Sequence, residues 1–356
     1  MIYINGRFLL QEQTGVNRFA YELCRALHSA GKAFVLLCPY GDVKTCYDVS
    51  MFRIVHCGKG RSHVWEQLFL PYYFYKISGR KILLNFTGIG PIAVKRKIMT
   101  IHDLAFMVNP RWYSRTYALI YRLLTPLSVA TSLKVLTVSN FSKSEIMRLL
   151  SIEDDKIEVI YNAVATKFMD GVCCDENKCV DKYVLAVSSI DPRKNFDTLL
   201  KAFAKIEDSE IKLYIAGGQA HIYSASIEEL SANIPADRTR WLGRVSDNEL
   251  KGYYHRAQCF IYPSLYEGFG IPPLEAMACG VPTIVSDIPV LREVCGDAAL
   301  YVNPLKPEDI ADKIMLLITD EGMQQRLRVA GLSRVRSFAW EKSAETVYNV
   351  IEKLHR

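Results

Sequence analysis

Residues 266–282 read YEGFGIPPLEAMACGVP, with Glu267 and Glu275 eight positions apart. Pro272 and Pro273 predict a helix start, because the N–H that proline lacks would have no intrahelical partner in a first turn. Gly280, followed by Pro282, predicts the helix stop. Glu267 then falls on the loop ahead of a short helix, and Glu275 lies one turn inside it. The free N–H groups of that helix start favour an anion. Either glutamate alone reads as a solvated side chain. Together, a loop carboxylate, a helix carboxylate and an anion-favouring helix start suit a phosphate-bearing polyol such as a nucleotide sugar.

The chain around this stretch has 356 residues, half of them hydrophobic and 23% charged. That length predicts two domains, and that composition a globular protein with a sizeable core. Met1–Ile4 reads as a strand rather than a leader segment. The longest apolar candidate for a membrane span, 118–139, is broken by Arg122, Pro126 and Lys134. Ten cysteines are scattered without zinc spacing; Cys173, Cys174 and Cys179 cluster, but without histidines nearby. Reduced thiols in a cytoplasm are expected.

Strand-like and helical runs alternate. In the first half the strands are expected at Met1–Ile4, Ala33–Cys38, Arg53–His56, Lys81–Phe86, Ile98–Ile101, Lys134–Val138 and Lys156–Tyr161, with long helices at Val16–Ser29 and Tyr113–Ala130. The pattern lapses over 162–182, an interdomain linker. It restarts at Tyr183–Val187 and continues through Lys212–Ala216, Cys259–Tyr262, Thr283–Val285 and Ala299–Val302. Such alternation predicts an α/β protein of two doubly wound, parallel-sheet domains. The expected bounds are 1–168 for the first domain and 169–339 for the second, the latter including a linker at 169–182. Ligands bind at the carboxyl ends of strands in such sheets, so both domains are expected to turn their sites toward a shared cleft.

Further candidates sit where those strands end. Arg193-Lys194, within Ser188–Asn195, follows the first strand of the second domain; a guanidinium fork beside an ammonium suits a diphosphate. His102 ends a first-domain strand and could serve as acid, base or hydrogen-bond donor, with Asp103 orienting the turn. Gly15, Val16 and Asn17 open the first long helix, where glycine permits close backbone approach to an anion. Gly217-Gly218 and Gly243-Arg244-Val245 follow second-domain strands. No G-x-G-x-x-G follows strand one, which argues against a nicotinamide-dependent oxidoreductase. No D-x-D pair follows a strand, so no metal is expected, and the cations and helix starts would supply the charge instead.

The 266–282 stretch resembles the E-x7-E signature of retaining GT-B glycosyltransferases, the large "group 1" family. The resemblance covers most of the chain and is densest from Tyr183 to Pro304. It implies two Rossmann-like domains and a final helix, at about 340–356, that crosses back to the first. It implies that the second domain holds a nucleoside-diphosphate sugar. Glu275 would bind the ribose, Glu267 with the Phe269 and Gly270 N–H groups the transferred sugar, and Gly268, Ile271 and Leu274 would complete the donor site. Gly217, Gly243, Arg244 and Val245 would lie on the nucleobase side. Lys194 would neutralise the leaving diphosphate. Most members place their arginine earlier, in a Gly-Arg pair where this chain has Ser188-Ser189. A subgroup reading EPRKN shares the shift, so Arg193 is expected to substitute. His102 and the Gly15–Asn17 loop would face the reaction from the acceptor side.

The expected activity is retaining hexosyl transfer, with mannose from GDP-mannose as first choice, to an oligosaccharide or polyprenyl-diphosphate-linked acceptor in surface-polysaccharide (O-antigen) synthesis. A sugar phosphorylase of the same fold and a noncatalytic two-lobed sugar-binding protein are the rivals. Residues 1–168 carry 22 Lys and Arg against 11 Asp and Glu, a balance of +11, whereas the remainder carries 22 against 27, a balance of −5. With no nucleic-acid module in view, the basic half predicts peripheral contact with the anionic inner face of the plasma membrane. Trp65, Phe69 and Tyr72–Tyr75, beside Lys76, Arg80, Lys81 and Lys95-Arg96-Lys97, are the expected contact.

Overall fold

The structure, a computed structural model, describes residues 1–60, 62–170, 181–218 and 234–355. Cys173, Cys174 and Cys179 lie outside the described residues. Two compact units emerge. One is Met1–Asn162 with Ala339–Arg356; the other is Ala163–Phe338.

The first unit holds seven strands: β1 (Ile2–Asn5), β2 (Phe34–Cys38), β3 (Ile54–His56), β4 (Ile82–Asn85), β5 (Lys97–Ile101), β6 (Lys134–Thr137) and β7 (Ile157–Val159). Their order is β3-β2-β1-β4-β5-β6-β7, and every pair is parallel. The reason is legible in the residues. FVLLC, ILLN and KIMTI are buried along their whole length, as strands covered by helices on both faces must be. Even Lys97 is buried, its Nζ donating to the Thr131 hydroxyl at 2.6 Å and to the Val94 carbonyl at 3.1 Å. Burial, with Lys156 adding to it, pushes this ammonium down to about 8. Lys97 is therefore no part of a surface basic cluster, a correction to the sequence reading. The C-terminal helix, Trp340–His355, belongs to this unit: Trp340 packs on Phe19, and the Ser343 hydroxyl donates to the Tyr161 carbonyl at 2.6 Å.

The second unit holds β8 (Lys182–Val187), β9 (Ile211–Ala216), β10 (Thr239–Gly243), β11 (Cys259–Tyr262), β12 (Thr283–Ser286) and β13 (Leu300–Val302). Their order is β10-β9-β8-β11-β12-β13, again all parallel. In each sheet the order in which strands are added reverses once, between β1 and β4 and between β8 and β11. Those reversals are the crevices where doubly wound sheets bind ligands. None of the seven described cysteines is in a disulfide among the described residues.

At the carboxyl end of the second sheet the backbone is drawn tight. The Gly217 N–H donates to the Gly243 carbonyl at 2.8 Å, and the Ile190 N–H to the Gly218 carbonyl at 3.0 Å. Gly217 has φ +146°, and a Cβ there would stand 1.8 Å from the Ser188 carbonyl oxygen. We therefore expect Gly217→Ala to destabilise the protein by at least about 2 kcal/mol, from backbone strain and overpacking together. Thermal or urea unfolding checks this; a wild-type midpoint would show that the loops have room to part.

Candidate active site

In the second unit, the loops after β8 and β11 converge on one buried carboxylate. Asp191 caps a single 3-10 turn, Pro192–Lys194, by accepting from the Arg193 N–H. Asn195, in the left-handed region at φ +61°, then turns the chain into the helix Phe196–Phe203. Its amide donates to the carbonyls of Pro263 and Pro304 at 3.0 and 2.6 Å, anchoring the turn to the loops after β11 and β13. The Leu265 N–H completes the tie, donating to the Arg193 carbonyl at 2.9 Å.

These ties set Arg193 and Lys194 against Glu267. Lys194 Nζ donates to Glu267 Oε1 at 2.6 Å and to the Tyr262 hydroxyl at 2.9 Å, and that hydroxyl donates to Oε1 at 2.9 Å. Arg193 Nη1 donates to Oε2 at 3.0 Å and to the Tyr266 carbonyl at 3.0 Å. Burial by itself would raise the Glu267 pKa, but Lys194 and Arg193 outweigh it and bring the carboxyl down to about 2. Burial pushes the Lys194 ammonium down, with Arg193 adding to that, while the carboxylate at 2.6 Å acts against both. One carboxylate thus holds two cations, and Asp191 Oδ1, 4.0 Å from Arg193 Nε, adds a second negative charge to the cluster.

Glu275 lies in the helix Ile271–Ala278, entered through Gly270 at φ +94°, with Pro272 in its first turn. The sequence places this helix and both its ends. Glu275 is buried, and the Tyr254 hydroxyl donates to its Oε2 at 3.3 Å. Phe269 is buried edge-on against Phe338. Leu274 is wholly buried, so its side chain packs the helix and cannot line a donor site as expected. Ile271 is half-buried and Arg244 exposed. Gly243, at φ +64°, turns the chain toward Arg244 and Val245, and the Arg244 side chain lies across Gly218.

The first unit carries its own cavity, of about 760 Å³, at the carboxyl ends of β1, β4 and β5. His102, Val16 and Asn17 line it. Thr14 caps the helix Gly15–Ser29 by accepting from the Asn17 N–H. Among the described residues nothing stands within 4 Å of where a Cβ on Gly15 would be, so the space before it is open. His102 Nε2 stands 2.9 Å from the Phe86 carbonyl. A carbonyl only accepts, so the proton sits on Nε2 and Nδ1 keeps its lone pair. Burial lowers the pKa below 6.5, against the opposing effects of the Phe86 bond and Asp103, so the ring is neutral at pH 7. Arg7, Thr87, Gly88, Tyr117 and Tyr121 line the same cavity and were not among the expected residues. The signal was present only as the polar run Asn5-Gly6-Arg7 directly after the first strand.

Among the described residues no three His, Cys, Asp or Glu side chains gather as a metal site, and no helix is long and apolar enough to cross a membrane. The expected membrane contact needs correction. Trp65 and Phe74 are core residues, and Phe69 and Tyr73 pack against that core. Tyr72 and Tyr75 are exposed, and so are Val64 and Leu68. The helix Arg115–Ala130 buries Ala118, Thr125, Ser128 and Val129 and exposes Leu119, Ile120, Leu123 and Leu127, an inverted amphipath that the sequence reading did not single out.

Comparison with known proteins places the chain among glycosyltransferases. A family model for glycosyl transferases group 1 matches residues 176–334, and one for glycosyltransferase family 4 matches residues 13–168. O-antigen chain mannosyltransferase B of Escherichia coli is 29% identical over 274 residues, 74% of this chain and 72% of that protein. O-antigen chain mannosyltransferase RfbU of Salmonella typhimurium is 37% identical over 233 residues, 64% of this chain but only 62% of that protein. The sucrose-phosphate synthase structure from Thermosynechococcus elongatus superposes with a TM-score of 0.79 over 99% of this chain and 98% of its own; at 20% identity it shares the fold.

Replacing Glu267 by Gln leaves the buried Lys194 without its counter-ion and Arg193 with Asp191 alone, at 4.0 Å, and should destabilise the protein by about 3 kcal/mol at neutral pH. A carboxyl lowered by folding stabilises above its unfolded pKa and loses that contribution as pH falls through the folded value. The wild-type advantage over Glu267→Gln should therefore be constant above pH 4.5 and shrink between pH 4.5 and about 2. Urea unfolding across that range checks it; an advantage that does not change with pH would show that the contact is not ionic.

Proposed function

This chain belongs to the group 1 glycosyltransferases, with the two-Rossmann-domain architecture called GT-B, and we propose that it transfers mannose from a nucleoside-diphosphate donor, GDP-mannose, to a sugar acceptor in O-antigen-type polysaccharide synthesis. The observation that carries this is the pair of cations held on Glu267 beside Glu275, all on the second sheet's carboxyl side. A leaving nucleoside diphosphate gains negative charge as its bond to the sugar breaks. Fixed cations that need not reorganise stabilise that charge best. The same pair supports metal-independent transfer. The mannosyltransferases to which the chain is similar support mannose as the sugar.

Glu275 accepts the ribose hydroxyls, and the backbone at Phe269 and Gly270 holds the transferred sugar. The first unit takes the acceptor, with neutral His102 offering the Nδ1 lone pair to a hydroxyl. Transfer retains configuration: the bond from the anomeric carbon to the β-phosphate oxygen breaks, the acceptor oxygen bonds to that carbon on the same face, and its proton passes to the departing phosphate oxygen. The acceptor is lipid-linked, and the enzyme works as a peripheral protein on the cytoplasmic membrane face. The exposed Leu119, Ile120, Leu123 and Leu127, flanked by exposed Arg115 and Arg122, support this reading.

Calorimetry with GDP, UDP and dTDP tests the donor site. Glu275→Gln removes a charge-assisted hydrogen-bond acceptor, so nucleotide affinity should fall about ten-fold or more, and excess EDTA should leave transfer intact. Unchanged affinity in the variant, or activity lost to chelator and restored by manganese, would reject the respective assignment. Membrane contact is tested by co-sedimentation with anionic vesicles. Binding should weaken as salt rises, and Leu119→Ser with Leu123→Ser should abolish most of it. Wild-type protein that stays in the supernatant at low salt would end that reading.

A further inference from the structure

A closed triangle of hydrogen bonds lies beside the cations of the second unit, and one corner of it has no role in the scheme above. Lys194 Nζ donates to Glu267 Oε1 at 2.6 Å and to the Tyr262 hydroxyl at 2.9 Å, and that hydroxyl donates to the same Oε1 at 2.9 Å. Lys194 and Glu267 lie on the connections that follow β8 and β11. Tyr262 is different: it is the last residue of β11 itself, paired with Val285 of β12. It is 2% exposed, its ring stacks on Phe260 at 6.1 Å and 21°, and the Lys194 ammonium stands 5.2 Å from its ring centre. The hydroxyl thus ties two charges on connecting segments to the sheet, and groups on regular elements are held more precisely than groups on loops.

Packing does not call for tyrosine at 262, because phenylalanine offers the same ring. A buried hydroxyl is costly unless it is bonded, so the bonds are what distinguish the two. Burial, with Glu267 adding to it, pushes the pKa of the hydroxyl up, so it stays protonated and donates. These bonds leave a definite remainder. An ammonium has three N–H groups. Glu267 and Tyr262 take two of them, and among the described residues the third has no partner. Glu267 alone would hold the ammonium loosely, since a carboxylate offers two oxygens and the lysine stem is flexible. A second acceptor at a fixed place removes that freedom. With two N–H directions set, the tetrahedral geometry of the ammonium sets the third.

We propose that Tyr262 is a positioning residue for the transfer: its hydroxyl holds Lys194 so that one N–H remains for the leaving diphosphate. This role rests on the glycosyltransferase reading and adds a residue to it. No bond of the hydroxyl itself is made or broken in the reaction. Its effect falls where charge builds up, on the phosphate oxygen from which the sugar departs. That oxygen is an ester oxygen in GDP-mannose and carries charge in GDP. Tyr262 should therefore matter to GDP, which already bears the charge that the leaving group develops, and little to the intact donor.

The test uses the full chain and calorimetry with GDP and GDP-mannose. Tyr262→Phe keeps the ring and removes only the hydroxyl. It should weaken GDP binding about ten-fold and leave GDP-mannose affinity unchanged, whereas a role in folding alone would move both ligands together. Lys194→Met completes a double-mutant cycle: in that background Tyr262→Phe should have no further effect on GDP. If Tyr262→Phe does not fold, Lys194→Met by itself must lose more affinity for GDP than for GDP-mannose, and equal losses overturn the role. In folded protein, Tyr262→Phe that weakens both ligands equally or neither, or that costs the same affinity with Lys194 absent, overturns the role of Tyr262 and leaves the donor reading standing. Wild-type protein that binds none of GDP, UDP and dTDP overturns the donor reading, and this role with it.

Discussion

The second unit's chemistry depends on one buried interaction, the grip of Glu267 on Arg193 and Lys194. Each of these charges would be costly to bury alone, and several kilocalories per mole are lost when one partner of such a group is removed. A well-packed apolar trio could be as stable, so stability alone does not explain it. What the trio supplies is position. Arg193 and Lys194 come from the loop after β8 and Glu267 from the loop after β11. The carboxylate therefore pins two loops across the point where strand order reverses. Asn195 and the Leu265 N–H bind the same loops with neutral hydrogen bonds. Two cations are thus fixed in advance where a leaving group would build up charge.

The sheets explain why the residues meet. Both are wholly parallel, so every strand delivers its following loop to the same edge. In the second sheet that edge gathers Ser188–Asn195, Gly217-Gly218, Gly243 and the Glu267 loop, stitched by backbone bonds. In the first it gathers Arg7, Thr87 and His102 around the cavity. Residues far apart in sequence become neighbours because topology, not local propensity, places them.

This distinction sets what the sequence reveals. Helix punctuation is local, so the prolines, Gly270 and Gly280 mark the Glu275 helix without a structure. Alternation of buried runs is nearly as local, and it yields both sheets. The charged, half-exposed β10 lies outside that pattern. Burial is not local. FYKIS (74–78) and KRKIM (95–99) look like basic surface, yet Lys97 is interior and Trp65 and Phe74 are core. The helix Arg115–Ala130 shows the reverse: its leucines look like core, but small residues such as Ala118 and Ser128 take the inside face. Arg7 and Glu66, whose side chains face each other at 3.6 Å, stand 59 positions apart in sequence, and no motif links them; only the switch point of the first sheet does.

The two clusters differ in how their charged groups are held. In the second unit Arg193 and Lys194 share Glu267, and Asp191 stands 4.0 Å from Arg193 Nε, so each cation is held by a carboxylate. Fixed in place, the two cations suit a group that becomes more negative. In the first unit the Arg7 guanidinium faces the Glu66 carboxylate, with neutral His102 on the cavity that Arg7 lines. The sum there is near zero, while donors and acceptors unpaired among the described residues are plentiful. Buried donors and acceptors left in this state are costly unless something meets them.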